Sequence, residues 1–288
     1  MGFFSEYKSS LKLIEVEEFF DLIFYRPLAF LFVKLIYSTN ITPNQITVLS
    51  LSFGISGGIA LSFGTSKSML LAAFLFITFN VLDCSDGQLA RLKGNGTEFG
   101  RILDGMADYM VSTSAYLGIG FGFANHSSNP LLYWMLLLVT ATSNIIHAVL
   151  VDFYRNRFID YTQDRVSVLD DGLENFKKEY ERLKKEKGST FKKFIIGTYI
   201  KYSSAQNRMA SNKETAYKVA PKDYYKANKR LIHFWTYLGP TTQWTFLIVC
   251  AVINRLDIYL WGLISVFNLY ALLLFIAQKR VDEKLKIS

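Results

Sequence analysis

Apolar residues along this chain fall into long runs and not into the short repeats of a soluble helix or strand. A helix that crosses a membrane needs about 20 mostly apolar residues, and six segments approach that length. The pattern therefore predicts an all-α integral membrane protein with six transmembrane helices. The predicted spans are 46–64, 68–86, 102–124, 131–151, 237–253 and 258–278.

The stretch before the first predicted span mixes apolar and charged residues. Arg26, Pro27 and Lys34 interrupt its apolar run over 11–38. This mixture predicts N-terminal amphipathic helices that lie in the membrane interface, with aromatic and leucine side chains toward lipid and charges toward water. A spanning helix over 22–38 is the alternative interpretation.

The composition and the placement of charge agree with a membrane protein. Hydrophobic residues make up 51% of the chain, which excludes intrinsic disorder. The net charge is +8, yet the loops on one side of the predicted bundle hold only Lys67 and Arg255 as basic residues. By the positive-inside rule both termini lie in the cytoplasm. We therefore expect the lipid bilayer, and no nucleic acid, to be the partner of the basic excess.

The predicted regions are 1–40 (interfacial helices), 41–152 (spans one to four), 153–233 (a cytoplasmic insertion) and 234–288 (spans five and six with a basic tail). The insertion carries 19 Lys and Arg against 10 Asp and Glu. Its apolar residues step by three and four, which predicts an amphipathic helix through Leu169, Leu173, Phe176, Tyr180 and Leu183. We expect this helical insertion either to contact anionic lipid headgroups or to form a solvated cap.

Four carboxylates lie at or near membrane depth, where an acidic side chain is costly. Asp83 and Asp86 are three residues apart and Asp104 and Asp108 are four apart, so each pair shares one helix face. The loop between the two helices is short, which predicts antiparallel neighbours whose four acids converge. Converging carboxylates favour hard divalent cations such as Mg²⁺ or Mn²⁺, and two such ions can hold a diphosphate.

Residues 83–108 read DCSDGQLARLKGNGTEFGRILDGMAD and resemble the signature of the CDP-alcohol phosphotransferase family, D-x2-D-G-x2-A-R-x8-G-x3-D-x3-D. Every fixed position matches at every spacing. The matching residues are Asp83, Asp86, Gly87, Ala90, Arg91, Gly100, Asp104 and Asp108. The resemblance extends to the six-helix layout, to the interfacial helix, and to Pro43, Asn44 and Thr47 at the start of the first span.

Membership of that family implies a reaction of phospholipid biosynthesis in which a hydroxyl attacks the phosphorus of a CDP-alcohol and CMP leaves. The resemblance assigns Asp83, Asp86 and Asp104 mainly to two Mg²⁺ or Mn²⁺ ions. It assigns Asp108 to the acceptor hydroxyl's proton, with a place near a metal as well. The residues that it assigns to CDP are Gly87, Ala90, Arg91, Gly100, Asn44 and Thr47. It also implies a homodimer whose active site faces the cytoplasm at a bacterial inner membrane.

The signature does not separate the two reaction types of the family. In one, CDP-diacylglycerol gives its phosphatidyl group to a polar alcohol such as inositol or inositol phosphate. In the other, soluble CDP-choline or CDP-ethanolamine gives its headgroup to a lipid hydroxyl. The stretch 96–104 is similar to that of bacterial phosphatidylinositol phosphate synthases, which favours the first type. A phosphorylated acceptor requires cations near the site, and Arg155 and Arg157 are placed either to supply them or only to flank the span.

An ion-coupled transporter is the alternative from a different class, because intramembrane carboxylates also mark ion pathways. The four acids, however, cluster at one end of the predicted spans together with Gly87 and Arg91. They do not trace a path across the membrane. This clustering favours the phosphotransferase over the transporter.

Overall fold

A computed structural model describes residues 3–11, 13–163, 177–178, 180–184, 193, 196–197, 200 and 219–286. The regular secondary structure of these residues is helical throughout, as the sequence predicts, and they contain no strand. Among them, four helices are long and apolar enough to cross a membrane. The four are Pro43–Ser62, Ser66–Lys93, Pro130–Thr162 and Leu256–Lys284.

Ten α-helices, numbered here in chain order, make up the described fold. They are α1 (Phe3–Ser10), α2 (Arg26–Ile36), α3 (Pro43–Ser62), α4 (Ser66–Lys93), α5 (Glu98–Gly122), α6 (Pro130–Gln163), α7 (Pro221–Thr236), α8 (Pro240–Val252), α9 (Leu256–Gly262) and α10 (Asn268–Lys284). A π-helical turn at Asp21–Tyr25 leads into α2, and another at Leu263–Phe267 joins α9 to α10. The predicted start of α3 is confirmed. Thr42 directly precedes Pro43 and forms a capping box with Gln45 in the first turn of the helix.

Two of the six predicted spans correspond to α5 and α8, which are not among the described helices that are long and apolar enough to cross a membrane. α5 contains Asp104 and Asp108 in its first half, and these acids lower its hydropathy. α8 has 13 residues, about 20 Å at 1.5 Å per residue, whereas the hydrocarbon core is about 30 Å thick. The predicted fifth span, 237–253, corresponds to α8 together with residues 237–239, which separate it from α7.

Close contact between backbones holds α3 against α5. A Cβ atom added to Gly118 would lie 2.1 Å from the carbonyl oxygen of Gly58, and one added to Gly122 would lie 1.9 Å from that of Leu61. Glycine lets membrane helices approach this closely. Gly120 instead faces Trp134 of α6, at 2.1 Å from the indole ring. These three α5 glycines therefore serve packing inside the subunit.

The N-terminal segment packs against α4 and buries several of its charges. Arg26 is buried and pairs with Glu17 at 2.7 Å. α2 buries Phe30 and Val33 but leaves Leu35 81% exposed. It is not among the described helices that are long and apolar enough to span. Its placement in the interface therefore stays a prediction.

Only part of the insertion is described. Leu169, Leu173 and Phe176 of its predicted amphipathic helix lie outside the described residues, whereas Tyr180 and Leu183 are helical. Leu183 is buried with Ile196 against Ile102 at the start of α5, and Phe99, Tyr180 and Ile200 pack around them. The predicted boundary at 152 falls inside α6, which continues to Gln163. The insertion thus contacts the membrane domain at the first turns of α5.

Candidate active site

α4 and α5 form the hairpin that carries the four acids. α4 ends at Gly94, which takes the left-handed conformation that favours glycine (φ 61°). The hydroxyl of Thr97 then accepts a hydrogen bond from the Gly100 N–H (3.0 Å) and caps α5. Only residues 94–97 connect the two helices, so their acidic ends lie side by side, as the sequence predicts.

Three of the four acids come together. One carboxylate oxygen from each of Asp83, Asp86 and Asp104 lies within 4.8 Å of the other two. Asp86 is buried, while Asp83 and Asp104 are half-buried. Asp108 lies outside this group of three: it is exposed and, with Asp83, lines a neighbouring cavity. Asp108 thus does not belong to the compact acidic triad but lines the cavity beside Asp83.

The triad fits a hard divalent cation. The Asp83 Oδ1 atom is buried and has no hydrogen-bond partner among the described residues. Thr47 donates its hydroxyl hydrogen to Asp86 Oδ2 and holds that carboxylate in place. Ligands that are all carboxylate oxygens suit Mg²⁺ or Mn²⁺ better than softer metals. Placing three carboxylates together in this partly buried site would be costly without a cation. A cation bound there would neutralise their charge and offset that cost.

The residues assigned to CDP lie around the triad. A Cβ atom at Gly87 would lie 3.3 Å from Arg91 Nη1, so the guanidinium covers this glycine. A Cβ atom at Gly100 would lie 2.6 Å from Asn44 Oδ1, which brings the start of α3 against α5. Ala90 lies beside the α4–α5 loop, 3.6 Å from the equivalent position of Gly96. Together with Thr47, all six predicted residues therefore lie around the α3–α4–α5 end that holds the acids.

The N-terminal segment also contacts this site, which the sequence pattern did not predict. Arg91 donates its Nε hydrogen to the carbonyl oxygen of Ser10, and Cys84 donates to Asp21 Oδ1 at 3.6 Å. Gln88 donates to the Arg26 carbonyl oxygen at 3.1 Å. The signal in the sequence was the group of charges inside the apolar run over 11–38. These contacts place residues 10–26 beside the α4 end of the site.

The structure treats the two candidate acceptor arginines differently. Arg157 pairs with Asp282 of α10 at 2.8 Å and is not brought to the triad. Arg155 lies 3.6 Å from Asp152, which lines the same cavity as Asp83, and 3.7 Å from Glu18. The Arg155 Nε atom is buried without a hydrogen-bond partner among the described residues. Arg155 is therefore linked to the cavity wall through Asp152, although Arg155 itself is not among the residues that line the cavity.

A cavity of about 570 Å³ opens from the acids between α4, α5, α6 and α8. Asp83, Asp108 and Asp152 lie on its wall together with polar and apolar residues from all four helices. Its volume falls in the range of about 300–1,000 Å³ that small-molecule sites occupy. Apolar positions along it include Leu117, Leu137, Leu138, Ile145 and Val149. The cavity can hold a ligand with one charged and one apolar part.

Comparison with known proteins shows which family this site is similar to. Residues 40–169 match the family model of the CDP-alcohol phosphatidyltransferases. The phosphatidylinositol phosphate synthase of Corynebacterium glutamicum is 30% identical over 132 residues, which are 46% of this chain and 54% of that protein. The phosphatidylinositol phosphate synthase of Mycobacterium tuberculosis is 28% identical over 108 residues, 37% of this chain and 48% of that protein.

An archaeal protein with a different name is also similar to this chain. The bifunctional IPC transferase and DIPP synthase of Thermococcus kodakarensis is 29% identical over 119 residues, 41% of this chain and 25% of that protein. This chain thus spans about half the length of the two bacterial synthases, and less of the archaeal protein. The family match contains the whole hairpin of acids and ends inside the insertion.

Proposed function

We propose that this membrane protein, whose residues 40–169 match the family model of the CDP-alcohol phosphatidyltransferases, transfers a phosphatidyl group from CDP-diacylglycerol to a polar alcohol. The acceptor is inositol phosphate or a similar alcohol, and CMP is the leaving group. The observation that carries the proposal is the convergence of Asp83, Asp86 and Asp104 within 4.8 Å. The two similar bacterial proteins are phosphatidylinositol phosphate synthases, which supports the choice of donor and acceptor.

Asp83, Asp86 and Asp104 hold two divalent ions in this proposal. Bound there, Mg²⁺ or Mn²⁺ supplies the positive charge that neutralises the acids and the diphosphate of the donor. Thr47 keeps the Asp86 carboxylate oriented toward the other two through its hydrogen bond. Phosphoryl transfer depends mainly on such positioning and charge stabilisation.

Asp108 takes the proton of the acceptor hydroxyl. Its carboxylate is exposed to the cavity and stands outside the triad, so an acceptor can reach it. It lies four residues, one helical turn, beyond Asp104 on the same face of α5. A carboxylate so placed acts as a general base when the acceptor oxygen comes within hydrogen-bond distance.

Arg91 and Arg155 bind the anionic parts of the two substrates. The Ser10 carbonyl oxygen takes the Arg91 Nε hydrogen, which leaves the two terminal nitrogens over Gly87 for the donor's phosphates. Arg155, with its buried unpartnered Nε, binds the acceptor's phosphate beside Asp152. Arg157 serves the α6–α10 contact through Asp282.

The topology proposed for this enzyme has six spans with both termini in the cytoplasm, in a bacterial inner membrane. Contacts near the acids support it. α5 and α8 are not among the four helices that are long and apolar enough to cross a membrane, yet each has one end near the acids. α5 begins beside the triad, and Pro240 and Thr241 at the start of α8 line the cavity with Asp83. The Arg157–Asp282 pair brings the end of α10 to the same side as the end of α6. A homodimer is also part of this proposal, and the oligomeric state in detergent tests it.

A substrate panel tests the reaction. Purified protein with Mg²⁺ or Mn²⁺ is given CDP-diacylglycerol, CDP-choline or CDP-ethanolamine with polar and lipid acceptors, and products are identified by mass. We expect product from CDP-diacylglycerol and a polar alcohol. Product only from a soluble CDP-alcohol and a lipid hydroxyl would reverse the direction of transfer and contradict the proposed donor.

Gly105→Leu tests whether the cavity is the substrate site. Gly105 lines it, and a Cβ atom there would meet no protein atom within 4 Å. A leucine therefore projects into the cavity without a clash and replaces a glycine in a helix, which favours folding slightly. We expect kcat/KM to fall by about 100-fold with an unchanged or higher Tm.

The matched control is Gly118→Leu, a similar change on the same helix that meets backbone of α3. It should lower Tm because α3 and α5 must separate. Full activity of Gly105→Leu with normal folding would place the substrates elsewhere.

A further inference from the structure

Beyond the acids, the wall of the cavity carries a layer of uncharged polar groups at greater depth. Ser112 and Tyr116 follow Asp108 by one and two turns of α5, about 6 and 12 Å along the axis. Asn144 of α6 lies beside them. Like Ser112 and Tyr116, it lines both the main cavity and a small adjoining pocket. Polar groups at this depth are costly unless they have partners.

A chain of hydrogen bonds fixes the orientation of Asn144. Its amide nitrogen donates to Gln243 Oε1 at 2.5 Å, and Gln243 Nε2 lies 3.4 Å from His147 Nδ1. His147 Nε2 lies 2.9 Å from Asn268 Oδ1, while the Asn268 amide nitrogen donates to Ser143 at 3.0 Å. Since Asn268 donates with its nitrogen, His147 donates from Nε2 and accepts at Nδ1. The chain therefore runs in one direction from Asn144 to Ser143.

This direction decides what Asn144 offers to the cavity. One of its two amide hydrogens goes to Gln243, which leaves the other hydrogen and the carbonyl oxygen to face a ligand. Ser112 adds a hydroxyl from the opposite wall. The Tyr116 hydroxyl is shared with Tyr259 at 3.3 Å. The layer thus presents hydrogen-bond donors between the acids and the apolar end of the cavity.

Along α5 the cavity wall carries Asp108, then Ser112 and Tyr116, then Leu117. On α6, Leu137 and Leu138 lie beyond Asn144 on the side away from Asp152. The parts of a glycerolipid follow in the same order, since the ester carbonyls lie only a few bonds from the phosphorus and the acyl chains come next. We propose that Ser112 and Asn144 bind the ester carbonyl groups of the lipid substrate and so select ester-linked over ether-linked lipid. The inference rests on the proposed function, in which that lipid is CDP-diacylglycerol.

His147, Gln243 and Asn268 are positioning residues in this account. They do not face the lipid but hold the Asn144 amide in the orientation that donates to a carbonyl oxygen. His147 is fully buried, and both of its ring nitrogens lie within hydrogen-bond distance of a side chain. Its place in the fourth predicted span is therefore explained by this network, without a direct role at the acids.

The test compares CDP-diacylglycerol with the ether-linked CDP-dialkylglycerol of the same chain length. An ether lacks the carbonyl oxygens but keeps the phosphates and the chains. We expect wild-type protein to prefer the ester donor by about tenfold in kcat/KM, the effect of one to two hydrogen bonds. Ser112→Ala and Asn144→Leu should each reduce this ratio toward one, and Gln243→Leu should do the same through Asn144.

Thr113→Val is the matched control. Thr113 lines the same cavity, but its hydroxyl donates to the Tyr109 carbonyl oxygen at 2.8 Å in its own helix. It should therefore keep the wild-type ester-to-ether ratio. Equal use of the two donors by wild-type protein, or one ratio shared by all variants, would overturn the inference.

Binding gives a second measurement that does not need turnover. The thermal shift that each lipid causes in purified protein reports the same preference. Absence of CMP release from both donors would count against the proposed reaction. A preserved ester preference in the thermal shift would still support the polar layer, and its absence would refute it. The two failures are therefore distinguishable.

Discussion

Asp83→Asn is expected to lower kcat by about 10²–10⁴ while leaving the fold intact or more stable. Asp83 belongs to the acidic triad, and its buried Oδ1 atom has no partner among the described residues. Loss of this carboxylate weakens cation binding, and a bound cation contributes several kcal/mol of charge stabilisation to such a reaction. Without a cation, however, the substitution removes one of three mutually repelling buried charges.

The measurement is Tm with and without Mg²⁺ or Mn²⁺, together with kcat. Wild-type protein should gain stability from the metal, and Asp83→Asn should lose that gain while its Tm in chelator equals or exceeds that of wild type. Asp152→Asn is the control, because Asp152 lines the same cavity but does not belong to the triad. It should keep the metal-induced shift. A normal shift in Asp83→Asn would show that the cation binds elsewhere.

Asp108→Asn should also lower kcat by about 10²–10⁴, the usual contribution of a general base, but with donor binding and the metal-induced Tm shift retained. The physical reason is its place outside the triad, exposed to the cavity. An amide of the same shape keeps the packing of α5 but does not accept a proton from the acceptor hydroxyl.

Titration of CDP-diacylglycerol into Asp108→Asn in the presence of Mg²⁺ measures the retained binding. Asp83→Asn, titrated in parallel, should bind the donor more weakly. If Asp108→Asn loses binding to the same extent as Asp83→Asn, then Asp108 is mainly a metal ligand and the assignment as base is wrong.

The convergence of the acids was predictable because it depends only on local spacing. Steps of three and four residues put each pair on one helix face, and a loop of four residues, 94–97, forces the two helices together. The division of the acids was not predictable in the same way. Spacing alone treats Asp104 and Asp108 alike, whereas in the folded protein Asp104 belongs to the triad and Asp108 lines the cavity.

Contacts between distant parts of the chain were the least accessible to sequence reasoning. The Arg91–Ser10 contact joins residues 81 apart, and the chain from Asn144 to Asn268 joins α6, α8 and α10. Such pairs depend on tertiary packing and leave no periodic signal. The short length of α8 was missed for a related reason, because the apolar run 237–253 does not show that its helix begins only at Pro240.

Metal-dependent release of CMP from CDP-diacylglycerol by the purified protein is the most direct test of the central claim. The acidic triad is the group of residues that would hold a divalent cation, and the reaction proposed from it would depend on that cation. We predict CMP release with a polar alcohol and Mg²⁺ or Mn²⁺, and none after chelation. CMP release that persists unchanged in excess chelator, or its absence with every metal and acceptor, would contradict the account.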